Sequence, residues 1–189
     1  MRYLFFLSII FTLYACNDQK TTETVEHSSD STVVSSNLPP KDSLIRDVDM
    51  IQNIRNRVQA INSMNLLVQT FDWSEPGCSD QGKISFYLNK DSIAKITETG
   101  FIGDGGWTKE YYYYQGKYIF SFMQSIGGPA GMPVDTSEVR EYVNNDTLVL
   151  LKRNNESHTD IKEKWNAGSK EYRLLKTLKN KNFGAVLCN

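Results

Sequence analysis

Lys109-Glu110-Tyr111-Tyr112-Tyr113-Tyr114-Gln115-Gly116-Lys117-Tyr118-Ile119-Phe120-Ser121-Phe122 is the stretch that decides the fold. An aromatic run of high strand propensity meets a two-residue turn and resumes as a second apolar run. Gln115-Gly116 tolerates the positive φ that a tight hairpin demands. Lys109, Glu110 and Lys117 flank the run as charged gatekeepers against aggregation. The layout recurs in Phe86-Tyr87-Leu88-Asn89-Lys90-Asp91-Ser92-Ile93 and in Glu141-Tyr142-Val143-Asn144-Asn145-Asp146-Thr147-Leu148. The three segments predict three β-hairpins, joined as an antiparallel meander of about six strands.

Turns at Lys90-Asp91, Gln115-Gly116 and Asn145-Asp146 assign the faces. Leu88 pairs with Ile93, Tyr113 with Tyr118 and Val143 with Leu148 on one face, which Tyr111 with Phe120, then Phe122, extend. The other face takes Tyr87 with Ala94, Tyr112 with Ile119 and Tyr142 with Val149. A tyrosine thus recurs at one place in every hairpin, and a one-residue slip would turn it to the opposite face. Two readings of Tyr87, Tyr112 and Tyr142 follow: an aromatic platform for a glycan, peptide or partner, or a row lying beneath a helix. The second is favoured, because a half-apolar second face is what a helix-covered sheet has.

Outward from the hairpins, Leu44, Val48, Ile51, Ile54, Val58 and Ile61 recur at steps of three and four. They predict one amphipathic helix, starting after Pro39-Pro40 and capped by Asp42 or Ser43. After Arg153 the chain turns polar, and His158 falls in a polar loop. A helical stretch follows, broken near Gly168. Ser169 caps its second piece, on which Tyr172, Leu175 and Leu178 share a face and Lys176 and Lys179 suit the C-terminal end. Phe183, Ala185, Val186 and Leu187 read as buried. The fold class is therefore α+β: a meander packed against a long N-terminal helix and a C-terminal helix, in one domain over residues 42–189.

Two glycine-rich segments, Gly100–Trp107 and Ile126–Pro133, read as long loops between hairpins. Neither carries a phosphate-binding spacing, and Asp104 lacks the companions of a calcium loop. Trp107 reads as a plug more than a ligand contact, yet these loops and Trp107 are the first place to look for binding. The candidate binding residues are accordingly Tyr87, Trp107, Tyr112 and Tyr142.

Composition narrows the classes. The 189 residues carry 21 Lys+Arg against 22 Asp+Glu, which removes the electrostatic footprint of a nucleic-acid binder. At 40% hydrophobic and 12% aromatic, the chain has enough apolar material for a packed core. With 2 His and 3 Cys there is no metal-ligand spacing and no cofactor motif. No nucleophile motif stands beside a base. The carboxylate pairs Glu138/Glu141 and Asp72/Glu75 read as surface pairs; Arg140, placed opposite Leu151, offers an anchor for a buried ion pair, but each of these residues reads first as solvated or structural. No catalytic residue is assigned.

The N-terminal segment reads as an address. Arg2 precedes the apolar run Tyr3–Tyr14, too short to span a bilayer, as in the h-region of a secretion signal. Leu13-Tyr14-Ala15-Cys16 resembles the bacterial lipobox, although Tyr14 is bulkier than usual there. The resemblance implies cleavage after residue 15, acylation of Cys16 (palmitate-type chains) and membrane attachment without a spanning helix. Residues 16–41, rich in Ser and Thr and including a solvent-exposed His27, read as a flexible tether. With Cys16 lipidated, Cys78 and Cys188 remain as an even pair in an oxidising envelope compartment, and a disulfide is expected between them.

Lys109–Phe122 followed by Val139–Leu148, with the preceding helix ending at Ile61-Asn62, also resembles a group of envelope lipoproteins of the Bacteroidota. The similarity covers most of Ile51 to Leu151. It implies a small α+β domain on a lipid anchor in the cell envelope, at the outer membrane, and it brings no catalytic residues. Two functions are carried forward: a binding or scaffold module for an envelope protein, peptidoglycan or glycan, and an envelope hydrolase or lysozyme-type hydrolase inhibitor.

Overall fold

Strand follows strand along this chain, each hydrogen-bonded to the next. The computed structural model describes residues 41–128 and 134–189, with side chains from residue 47 onward. The signal segment, Cys16, the tether with His27, and Pro129–Pro133 of the second glycine-rich segment lie outside the described residues. Helix α1 spans Lys41–Asn62, and eight strands follow: β1 Leu67–Glu75, β2 Ser79–Asn89, β3 Ser92–Ile102, β4 Gly105–Tyr114, β5 Lys117–Gly127, β6 Asp135–Asn144, β7 Thr147–Arg153 and β8 Glu156–His158. Helices α2 (Lys170–Asn180) and α3 (Gly184–Leu187) close the chain. The strands form one antiparallel sheet in the order β1 to β8. No described helix is long and apolar enough to cross a membrane.

The meander thus has eight strands among the described residues where the hairpin cadence predicts six. The additional ones are β1, an alternating segment before Gly77, and the short β8. Gly100–Trp107 is no long loop. Strand β3 runs to Ile102 and β4 starts at Gly105, so the connection is the two-residue turn Gly103-Asp104, with Gly103 at φ 56°. Ile126 and Gly127 likewise belong to β5. His158 lies in β8, paired with Leu151, and not in a loop.

All three predicted turns occur. Gln115-Gly116 and Asn145-Asp146 have positive φ at both central positions, as the twist of adjoining strands requires, while Lys90 has φ 55°. Leu88↔Ile93, Tyr113↔Tyr118 and Val143↔Leu148 pair as expected. Beyond them the register departs from the simple alternation, and by the same device each time. A bulge follows the first inner pair, so Tyr87 stands opposite Lys95, Tyr112 opposite Phe120 and Tyr142 opposite Leu150. Ala94, Ile119 and Val149 are the extra residues. Each bulge puts two consecutive residues on one face and reverses the alternation after it. That is why Tyr111 pairs with Ser121 and not Phe120, and why Phe120 and Phe122 pack on the α1 side.

The sheet buries both faces. On one, Tyr112, Tyr142, Ile119, Phe120 and Leu150 pack with Ile54 and Ile61 of α1. Helix α1 starts at Lys41, so Asp42 and Ser43 fall inside its first turn and are not caps. Its apolar stripe is engaged from Ile51 onward, whereas Val48 is 66% exposed. On the other face Ile84, Phe86, Ile96, Tyr111, Tyr113, Tyr118, Val143 and Leu151 pack with Leu174, Phe183 and Leu187 of the C-terminal segment. Ser169 is the N-cap residue of α2, but its hydroxyl accepts the Asn166 N–H instead of a helical one. The deepest positions of α2 are Glu171, Leu174 and Thr177, one step round from Tyr172, Leu175 and Leu178, which are partly buried.

The helical stretch expected before Gly168 is absent. The segment pairs instead with the β6–β7 turn: Leu148 N–H donates to Glu163 O at 2.9 Å and Trp165 N–H to Asp146 O at 2.9 Å. Trp165 is buried, edge-on to Tyr118 at 5.4 Å between ring centroids. Burying that indole outweighs a weak local helical preference. Cys78, in the β1–β2 turn, and Cys188, after α3, form a disulfide with Cα atoms 6.0 Å apart.

Candidate functional site

Three glutamates point into the layer between the sheet and α2. Glu98 on β3 is 2% exposed and accepts from Trp107 Nε1 at 3.0 Å and Tyr111 OH at 2.9 Å, with Lys170 Nζ at 3.8 Å. Glu141 on β6 accepts from Ser121 Oγ at 2.6 Å and Tyr118 OH at 2.8 Å, with Lys109 Nζ at 3.7 Å. Glu171 opens the first turn of α2, where the helix dipole favours an anion, and its backbone carbonyl accepts from Tyr113 OH at 2.8 Å. Burial works against the Glu141 anion, but Lys109 and the two hydroxyls outweigh it and hold the carboxyl below its ordinary value. Glu171 is pushed up, chiefly by burial. Burial also lowers Lys170 and drives Tyr111, Tyr113 and Tyr118 well above the usual phenol value. Every buried side-chain polar atom among the described residues has a partner. The Glu98 and Glu141 carboxylates are thus engaged in internal hydrogen bonds, whereas Glu171 is tied through its backbone carbonyl.

The carboxylate pairs read from the sequence separate. Glu138 faces the α1 side, where it pairs with Arg140 at 2.7 Å, and Glu141 faces the α2 side. Asp72 pairs with Lys83 at 2.6 Å, and Glu75 packs near Gly184. Arg140 is half-exposed and sits opposite Lys152, while Glu141 takes the place opposite Leu151. The ion pair at Arg140 is thus a partly exposed one with Glu138, not a buried one. Among the described residues no group of three or more His, Cys, Asp or Glu side chains is arranged to hold a metal ion.

Trp107 is fixed by its neighbours. Trp73↔Gly82, Gly82↔Gly100 and Gly100↔Trp107 form one row across β1 to β4. The two indoles lie over the two glycines, where a Cβ would collide with them, and approach each other at 6.3 Å between centroids. Trp73 Nε1 donates to Thr99 O at 3.1 Å. The indole of Trp107 thus fills the sheet on the α2 side.

Of the tyrosine row, Tyr112 and Tyr142 are buried beneath α1, and Tyr87 is half-buried with Lys95 over its ring at 5.5 Å. Tyr112 OH donates to Glu110 at 2.6 Å and lies 3.1 Å from the Asn62 side-chain amide, bringing β4 to the end of α1. The row and Trp107 lie on opposite faces and do not converge.

What remains open is the α1-side face beyond the helix. Phe101↔Gly106↔Ile126 crosses β3, β4 and β5 there, with the Phe101 ring over Gly106. Phe101 is 48% and Ile126 50% exposed. Phe101 stands between two grooves: one of about 490 Å³, shared with Asp72, Trp73 and Lys83, and one of about 400 Å³, shared with Thr108, Gln124 and Ile126. Sequence reasoning missed Phe101 as a surface residue because it placed the residue in a loop. The signal was its alternation with Thr97 and Thr99, which continues β3 to Ile102. No family model, no curated protein and no solved structure matches this chain.

Proposed function

We propose that the chain is a lipid-anchored binding or scaffold module of the cell envelope. The observation that carries this reading is the division of labour between the two faces. The Glu98 and Glu141 carboxylates are engaged internally against α2, while the opposite face offers an exposed aromatic ridge at Phe101 between two grooves. An apolar ridge with flanking grooves suits a protein surface better than a glycan, because Phe101 and Ile126 bring no hydrogen-bonding group of their own. The lipobox-like Leu13–Cys16 supports the anchor, and the Cys78–Cys188 disulfide is in keeping with an oxidising compartment. Attachment at the outer membrane and partners among envelope proteins, peptidoglycan or glycans belong to the same proposal.

The test is a photo-crosslinking residue placed at Phe101 in intact cells. The proposal expects a discrete adduct whose yield falls when Ile126 is changed to Ser, with none from a probe at Asn53 on α1. No adduct, together with glycan hydrolysis by the purified full chain, would overturn it in favour of an envelope hydrolase.

A further inference from the structure

Where the flank of α1 meets the sheet, a groove of about 440 Å³ is lined by Arg55, Gln59 and Asn62 from the helix, by Ser63 just after it, and by Arg140 and Tyr142 from β6. Its charges are unbalanced. Arg140 sits directly opposite Lys152 on β7, two cations paired across the strands on one face. Such a pair is destabilising unless an anion lies between or beside them. Glu138 supplies one counter-charge, to Arg140 at 2.7 Å. Arg55 comes in from the helix, its guanidinium 5.6 Å from the centre of the Tyr142 ring. Among the described residues neither Arg55 nor Lys152 has a carboxylate within ion-pair distance. Two guanidiniums in one concave site, one from each layer, offer planar forks that match oxyanions.

We infer that this groove binds an oxyanion-bearing ligand, a carboxylate or a phosphate, held between Arg55 and Arg140 with Lys152 adding to the attraction. The side-chain amide of Gln59 stands on the helix wall to take up neighbouring polar groups, whereas the Asn62 amide is held by Tyr112 and the Ser63 hydroxyl donates to the Gln59 carbonyl at 2.9 Å. The site is separate from the Phe101 ridge, so it stands whether or not that ridge engages a partner.

The experiment is titration of ¹⁵N-labelled full-length protein, following the Arg Nε–H resonances. The probes are inorganic phosphate and citrate, with sodium chloride at matched ionic strength as the control. Saturable shifts of Arg55 and Arg140 are expected, with a Kd on the order of 1 mM for the better probe, while Arg57, over the Tyr114 ring at 4.3 Å, stays unmoved. The probe that saturates first distinguishes a phosphate from a carboxylate source. Arg55→Gln, on the exposed flank of α1, should weaken binding about tenfold, and Lys152→Gln should weaken it less. Arg55→Gln is the informative variant if Arg140→Gln fails to fold. Shifts that chloride reproduces, shifts spread evenly over all arginines, or binding unchanged in Arg55→Gln would each overturn the assignment.

Discussion

Glu141 and Glu171 share one layer of the molecule and have opposite electrostatic consequences. Burial disfavours the Glu141 anion, yet Lys109, Ser121 and Tyr118 more than compensate, so its folded pKa lies below the ordinary 4.5. A carboxyl depressed on folding stabilises above its unfolded pKa, and that stability is lost as pH falls through the folded value. Glu141→Gln should therefore cost roughly 1–3 kcal/mol at pH 7, and in urea titrations the difference from the parent should shrink as the pH is lowered through the depressed folded value. Glu171 behaves in the reverse sense. Its raised pKa penalises the charged form at neutral pH, so Glu171→Gln should leave stability unchanged or increase it at pH 7, with any gain disappearing on acidification. Gly100 makes a third case. Any Cβ there enters the Trp107 indole, and Gly100→Ala should lower stability by about 1–3 kcal/mol in chemical denaturation. The opposite facing of Glu138 and Glu141 was readable in advance, since an odd spacing along a strand places two residues on opposite faces. Their partners were not readable, because Tyr118 and Ser121 reach Glu141 through a register that the bulge resets.

The hairpins show where local chemistry suffices and where it does not. Turn residues fixed the three loop positions, because positive φ is a demand of the backbone itself and Gln115-Gly116 or Asn145-Asp146 meet it. The bulges left no comparable mark. Ala94, Ile119 and Val149 are ordinary strand residues that pack into the cluster under α1, and nothing in their own side chains marks them as the extra ones. The same contrast holds at the C-terminal end. Residues 159–168 carry a mild helical pattern, but Trp165 and the backbone of Glu163 are taken up by the β6–β7 turn, a contact with no local signature. Trp165→Ala should therefore cost about 3–5 kcal/mol in thermal or chemical unfolding. Ile161→Ala, at a position 38% exposed, should change little. The Phe101 ridge became visible only once β3 was seen to run through the glycine-rich segment.

Each strand pairs with its sequence neighbour, so most sheet contacts close short loops, and the long-range ties fall to α1, the C-terminal segment and the disulfide. Replacing Cys78 and Cys188 by Ser should remove up to about 4–5 kcal/mol in the chain-entropy view, read as a lower melting temperature for the variant than for the oxidised parent. The bond also alters how the molecule would carry tension. A pull applied between the N-terminal side of α1 and the C-terminus enters β1, reaches Cys78 and crosses at once to Cys188, bypassing 110 residue steps of backbone. Strands β2 to β8 would hang on this covalent shortcut without bearing load. Reducing it should add about 380 Å of releasable contour length in a single-molecule stretching trace.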